Sequence, residues 1–230
     1  MLEALGVLIT RPEPGASDTA RQIATLGLRP VLAPCLIIRM LPLRVPAGVQ
    51  AVLVSSGNAI PALLSALHGL PLLAVGDATA ERARAAGFRD VSSADGDAAA
   101  LATLAAGRCA ARASLLLATG QGQGSRLAAD LRRRGFRVHR RAVYVARPVA
   151  RLPRPAQQAL AAGTLQAALF LSAETARAFA RVLPAALHPA LAAVDALAIG
   201  KPAADALLHL PWRRLRVSAK PTLDSVLAML

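Results

Sequence analysis

Val7-Leu8-Ile9-Thr10-Arg11-Pro12 opens the first recognisable unit of this chain, and Leu115-Leu116-Leu117-Ala118-Thr119-Gly120 repeats its pattern roughly 110 residues later. Each is a short apolar run that ends in a loop. A helical pattern follows in both, over residues 17–26 and 125–134, and then a glycine-led exit, Gly27-Leu28-Arg29-Pro30-Val31 or Gly135-Phe136-Arg137-Val138. An apolar run this short, bounded by turn residues, reads as a buried strand rather than a helix.

Two further segments recur in the same order. Ala51-Val52-Leu53-Val54-Ser55-Ser56 is matched by Ala168-Leu169-Phe170-Leu171-Ser172, each a strand ending in serine before a helix. Leu73-Ala74-Val75-Gly76-Asp77-Ala78-Thr79, with a helix to Ala86, is matched by Leu197-Ala198-Ile199-Gly200-Lys201-Pro202, with a helix to Leu208. Strands alternating with amphipathic helices build parallel βαβ units, so the fold class is α/β. A period this long does not fit a solenoid. Duplication of a small α/β lobe accounts for the ordered match and implies two similar lobes, each a parallel sheet flanked by helices, facing a shared cleft.

With 230 residues the chain is long enough for two modest lobes. Its hydrophobic content of 55% and mean hydropathy of +0.46 raise the question of a membrane. The longest uncharged stretch, residues 45–76, is interrupted by Pro46, Gln50, Ser55, Ser56, Asn58, Pro61, His68 and Pro71, so no continuous apolar helix spans a bilayer. Glu3 stands where a secretory signal carries positive charge. A soluble, cytoplasmic protein is expected. Cys35 and Cys109 form no CxxC pair, and His68, His139, His188 and His209 stand far apart, so neither a disulfide framework nor a metal centre is signalled.

The formal charge of +14 comes almost entirely from arginine, because lysine occurs only at 201 and 220. Arginine's planar fork suits carboxylates and phosphates. A nucleic-acid binder would interleave clustered charge with stacking aromatics, whereas aromatics are 3% here and the arginines are scattered. Nucleic acid is therefore not the expected partner. A solvated surface explains most of the arginines, and a polyanionic small molecule is compatible with them.

In doubly wound sheets, ligands bind beyond the carboxyl ends of the strands, where helix N-termini point backbone N–H groups outward. The candidate binding residues are accordingly Thr10 and Arg11; Ser55, Ser56, Gly57 and Asn58; Gly76, Asp77, Ala78 and Thr79; Gly120; Ser172 and Ala173; and Gly200 with Lys201. Glycine permits close approach and serine or threonine caps a helix, so capping alone also explains these residue types. Gly120-Gln121-Gly122-Gln123-Gly124 imitates a dinucleotide fingerprint, but Arg140, Arg141 and Arg147 follow where an acidic residue is needed. No Ser-His-Asp, Cys-His or paired-carboxylate constellation stands out, so an enzyme built on this chain works by positioning and electrostatics. Tyr144, the only tyrosine, lies in the alternating, extended segment Arg141-Ala142-Val143-Tyr144-Val145-Ala146-Arg147-Pro148. Its ring could pack within a strand, or its phenol could donate a proton at a crossing between lobes.

Taken in order, Leu8-Ile9-Thr10-Arg11-Pro12, Val54-Ser55-Ser56, Ala74-Val75-Gly76-Asp77-Ala78-Thr79-Ala80, Ala94-Asp95-Gly96-Asp97, Ala142-Val143-Tyr144, Phe170-Leu171-Ser172, Ala198-Ile199-Gly200 and Lys220-Pro221-Thr222 resemble the uroporphyrinogen-III synthase family over nearly the whole chain. The resemblance implies a monomer of two lobes joined by two extended crossings, with residues 1–36 and 151–230 in one lobe and 37–150 in the other. It implies cyclisation of hydroxymethylbilane to uroporphyrinogen III, with loss of water and inversion of the last pyrrole ring, and no metal or organic cofactor. The substrate is an octacarboxylate, which gives the basic charge a purpose. Tyr144 matches the family's tyrosine and is the candidate to help the hydroxyl leave, while Thr79, Ser56 and Ser172 match polar positions lining the cleft. A transient contact with hydroxymethylbilane synthase, which supplies the unstable substrate, is left open. The chain departs from the pattern at Gly200-Lys201-Pro202-Ala203-Ala204, where many members carry Gly-Pro-Thr-Thr, so Lys201 is the candidate to bind a carboxylate there. The alternative from another class is a two-lobed binding protein for an anionic small molecule, without catalysis.

Overall fold

A strand whose side chains are all apolar needs cover on both faces, and parallel sheets sandwiched by helices provide it. The computed structural model describes residues 5–230. Its strands are β1 (Gly6–Ile9), β2 (Arg29–Leu32), β3 (Leu36–Met40), β4 (Ala51–Val54), β5 (Leu72–Ala74), β6 (Val91–Ser93), β7 (Ser114–Gly120), β8 (Arg137–Pro148), β9 (Leu165–Phe170), β10 (Asp195–Ala198) and β11 (Arg214–Val217). The helices are α1 (Gly15–Thr25), α2 (Asp77–Ala85), α3 (Ala98–Arg108), α4 (Ser125–Arg133), α5 (Arg154–Ala161), α6 (Ala173–Val182), α7 (Lys201–Asp205) and α8 (Leu223–Leu227). Every residue of β1, β4, β5, β7 and β10 is buried.

The chain divides into two compact units, one of the residues up to Ile37 with Arg147–Leu230, the other Ile38–Ala146. Among the described residues one sheet runs β11-β10-β9-β1-β2, all parallel. The other runs β3-β8-β7-β4-β5-β6 and is parallel from β8 to β6. Strands β7 and β8 hold in the second sheet the places that β1 and β2 hold in the first, and β4-β5-β6 hold those of β9-β10-β11. The repeat is therefore exchanged: each sheet combines the first part of one copy with the later parts of the other. Residues 147–150 group with the first unit, where the Val149 N–H bonds the Cys35 carbonyl at 3.0 Å.

Alternation along each strand supplies both faces. In the second sheet Val52, Val54, Leu72, Ala74, Leu116 and Ala118 pack on one side, with Tyr144 among them. Ala51, Leu53, Leu73, Leu115 and Leu117 pack on the other, against Leu101, Leu127 and Leu131 of α3 and α4. In the first sheet Val7, Ile9, Ala167, Leu169 and Leu197 meet Ile23 of α1 and Val226 of α8. Full burial of one such Val or Leu side chain contributes about 1.5–3 kcal/mol.

Two expected helices differ. The segment after Ser56 is a 3-10 helix, Gly57–Ala62, because Pro61 inside it has no N–H to donate. Helix α7 stops at Asp205 rather than Leu208: tighter bonds from Leu207 to Ala204 and from Leu210 to Leu207 turn the chain ahead of Pro211, which disfavours helical backbone at Leu210. The recurring pattern also has a fourth part, a strand leading to a capped helix. Asp97 accepts from the Ala99 and Ala100 N–H groups at 2.9 and 3.0 Å to start α3, and Thr222 accepts from Ser225 at 3.3 Å to start α8. Among the described residues no helix is long and apolar enough to cross a membrane.

Candidate active site

Ligands of open parallel sheets collect at the carboxyl edge where neighbouring strands send their connections in opposite directions. The first unit has that switch between β1 and β9, the second between β7 and β4. The candidate residues after β1, β9, β4 and β7 sit at these switches. The Gly76 and Gly200 loops follow β5 and β10, one strand further along.

In the first unit Thr10 is fully buried and its hydroxyl donates to the Leu169 carbonyl at 2.6 Å, tying β1 to β9. Arg11 lies across Gly15, where a Cβ would come within 2.5 Å of its Nε, and its Nη1 donates to Thr19 Oγ1 at 3.2 Å. Ser172 caps α6, accepting from the Thr175 N–H at 3.1 Å, and Ala173 is the first residue of that helix. Lys201 pairs with Asp205 of its own helix at 2.8 Å, with its side chain 82% exposed. Such a pair on a helix surface contributes only about 0.3–0.5 kcal/mol.

In the second unit Ser56 accepts from the Asn58 N–H at 3.3 Å, and Ser55 beside it is half-buried. Gly57 lies under the guanidinium of Arg82 from α2, since a Cβ there would meet Nη1 at 2.8 Å. Helix α2 begins at Gly76 without a side-chain cap, with Asp77 and Ala78 exposed and Thr79 buried. Helix α4 likewise begins without one, at Gly124, whose φ of +78° is natural to glycine. Each switch therefore carries one arginine laid over a glycine, Arg11 over Gly15 and Arg82 over Gly57.

Tyr144 near the end of β8 is only 3% exposed, and its ring lies on Gly120, where a Cβ would come within 2.8 Å of Cζ. Its hydroxyl donates to Gln123 Oε1 at 3.2 Å. The loop that carries Gln123 is held at several points. The Gln121 N–H donates to the Tyr144 carbonyl at 2.8 Å, the Gln123 N–H donates to the Gly120 carbonyl at 3.0 Å, and Arg140 Nη1 donates to the Gln123 carbonyl at 2.7 Å. The structure thus brings Gly120 and Tyr144 into one cluster and adds Gln123 and Arg140 to it, while Arg82 lies apart over Gly57; the sequence did not single out these three for the site. The signal for Gln123 lay in the glycine-spaced loop itself, whose glycines admit a tyrosine ring and a left-handed turn instead of a pyrophosphate.

No curated protein matches this chain by sequence. Among solved structures it is similar to uroporphyrinogen-III synthetase from Helicobacter pylori, with 18% identity, a TM-score of 0.63, and 98% of this chain and 97% of that one covered. It is also similar to a mutant uroporphyrinogen III synthase from the extremely thermophilic bacterium Thermus thermophilus, with 22% identity, a TM-score of 0.50 and the same two coverages. At these identities the likeness speaks for the fold. The sequence itself matches the family described as uroporphyrinogen-III synthase HemD over residues 17–228. That match takes in β2 to β11 and the switch loops after β9, β4 and β7, and on it the chain belongs to the uroporphyrinogen-III synthase family.

Proposed function

We propose that this protein cyclises hydroxymethylbilane to uroporphyrinogen III, losing water and inverting the last pyrrole ring, and that Tyr144 is the residue that helps the hydroxyl depart. The family match over residues 17–228 carries the reading. The leaving hydroxyl sits at a position that forms an azafulvene readily, so the catalyst needs little acid strength. It needs to hold the chain in the geometry that favours the spiro intermediate over direct closure, which is a task for shape and fixed dipoles.

Several features support that division of labour. Arg11 and Arg82 place guanidinium groups at the carboxyl edges of the two sheets, a planar cationic chemistry suited to substrate carboxylates. The starts of α2 and α4, with no side-chain caps, present backbone N–H groups of the same polarity. Thr10 contributes inside the sheet, as the clamp between β1 and β9. The protein acts as a soluble monomer on hydroxymethylbilane, encountering the synthase that releases it at most transiently. Replacing Tyr144 by Phe tests the assignment: turnover should fall on the order of ten-fold, the worth of one hydrogen bond to the departing group. An unchanged rate would leave Tyr144 as a packing residue.

A further inference from the structure

We infer that Gln123 is the positioning residue for Tyr144: its side-chain oxygen holds the phenolic hydrogen in place until the departing hydroxyl takes over that bond. This rests on the assignment of Tyr144 above and adds to it the group through which the phenol is oriented.

Four observations lead there. The phenol is buried, so without a partner its hydroxyl would be costly to bring into the core, and Gln123 Oε1 supplies an acceptor. That bond is 3.2 Å long, beyond the usual range of about 2.5–3.0 Å for O–H···O, so an oxygen arriving at better distance displaces it readily. Gln123 is itself fixed by its backbone, through the Arg140 guanidinium at 2.7 Å and the Gly120 carbonyl at 3.0 Å. Finally, the loop can take this shape only with glycine at 120 and 124: a Cβ at 120 would strike both the Tyr144 ring and Gln123 Oε1, and one at 124 would lie 2.5 Å from Thr119 Cγ2. Two glycines and an arginine thus shape and hold the loop whose glutamine accepts from the one phenol, at the switch of the second sheet.

A positioning role through Tyr144 differs measurably from a role in closing the loop. In Gln123→Leu, kcat should fall about ten-fold with KM changed by less than about two-fold, because the phenol is no longer oriented for the bond it makes to the departing hydroxyl in the transition state. Gln123→Met, unbranched and of nearly the same length, should behave alike and guards against a loop that misfolds around leucine. On a Tyr144→Phe background neither substitution should cost anything further, since the group through which Gln123 acts is gone. The chain has one tyrosine, so protein labelled with 13C at tyrosine Cζ gives a single resonance that reports the phenol's hydrogen bond directly. That resonance should move in both Gln123 variants. Additive losses in the double variants, or an unmoved resonance, overturn the role of Gln123. A Tyr144→Phe protein as fast as the parent instead overturns the assignment of Tyr144 on which it rests, whatever the resonance does.

Discussion

Thr10 shows how one hydroxyl can tie two strands of a sheet together. Its bond to the Leu169 carbonyl is 2.6 Å long and shielded from water, so Thr10→Val should destabilise the protein by about 1–2 kcal/mol while leaving KM for hydroxymethylbilane nearly unchanged. Urea denaturation and steady-state kinetics on the same preparation check this; a raised KM with unchanged stability would make Thr10 a substrate contact. The two cysteines differ for a related reason. Burial pushes the Cys35 thiol up to about 12, and its Sγ lies against the Ala33 carbonyl at 3.2 Å. Cys109 is only partly buried; burial raises its thiol too, while the neighbouring Arg108 charge pulls it back down. A thiol reagent titrates the thiolate, and the fraction of thiolate falls as pKa rises above the working pH. At about pH 8 the native protein should therefore show one accessible thiol, Cys109, with Cys35 reacting only after denaturation. Two thiols reacting at equal rates would contradict the packing around Cys35.

Among the elements, the loop between β7 and α4 has a geometry with little room for change. Gly124 combines a left-handed φ with a site where any Cβ meets Thr119, so Gly124→Ala should cost about 1–3 kcal/mol, read as a lower urea midpoint, and should slow turnover as Gln123 moves off Tyr144. Wild-type stability and rate in that variant would show the loop to be adaptable. This loop also marks where the sequence stops being legible. The runs at 7–9, 51–54, 73–74 and 115–118 announce strands because apolar stretches bounded by glycine and serine have few other uses. They do not say which strand lies beside which, since a strand buried on both faces carries the same pattern whatever its neighbour. The pairing of β7 with β8 is what carries Tyr144 onto Gly120 and under Gln123, and it is a tertiary fact. Helix type and helix ends depart from the apolar pattern for local reasons, at Pro61 and ahead of Pro211.

At the scale of the whole molecule, the repeat presents two loops of the same kind that carry different side chains. The copy after β1 ends in Thr10 and Arg11, and the copy after β7 ends in Thr119 and Gly120; arginine in one position leaves a cation over Gly15, glycine in the other leaves room for an aromatic ring. One lobe pattern thus yields an arginine-bearing switch and a phenol-bearing one. The net charge of +14 suits an octacarboxylate substrate, and with arginine supplying it the attraction keeps its fork geometry as well as its sign. The most direct measurement is incubation of the purified protein with freshly generated hydroxymethylbilane, without added metal or nucleotide, followed by separation of the uroporphyrinogen isomers. The type III isomer should form in excess over the spontaneous product; exclusive formation of the type I isomer, at the rate seen without protein, would contradict the assignment.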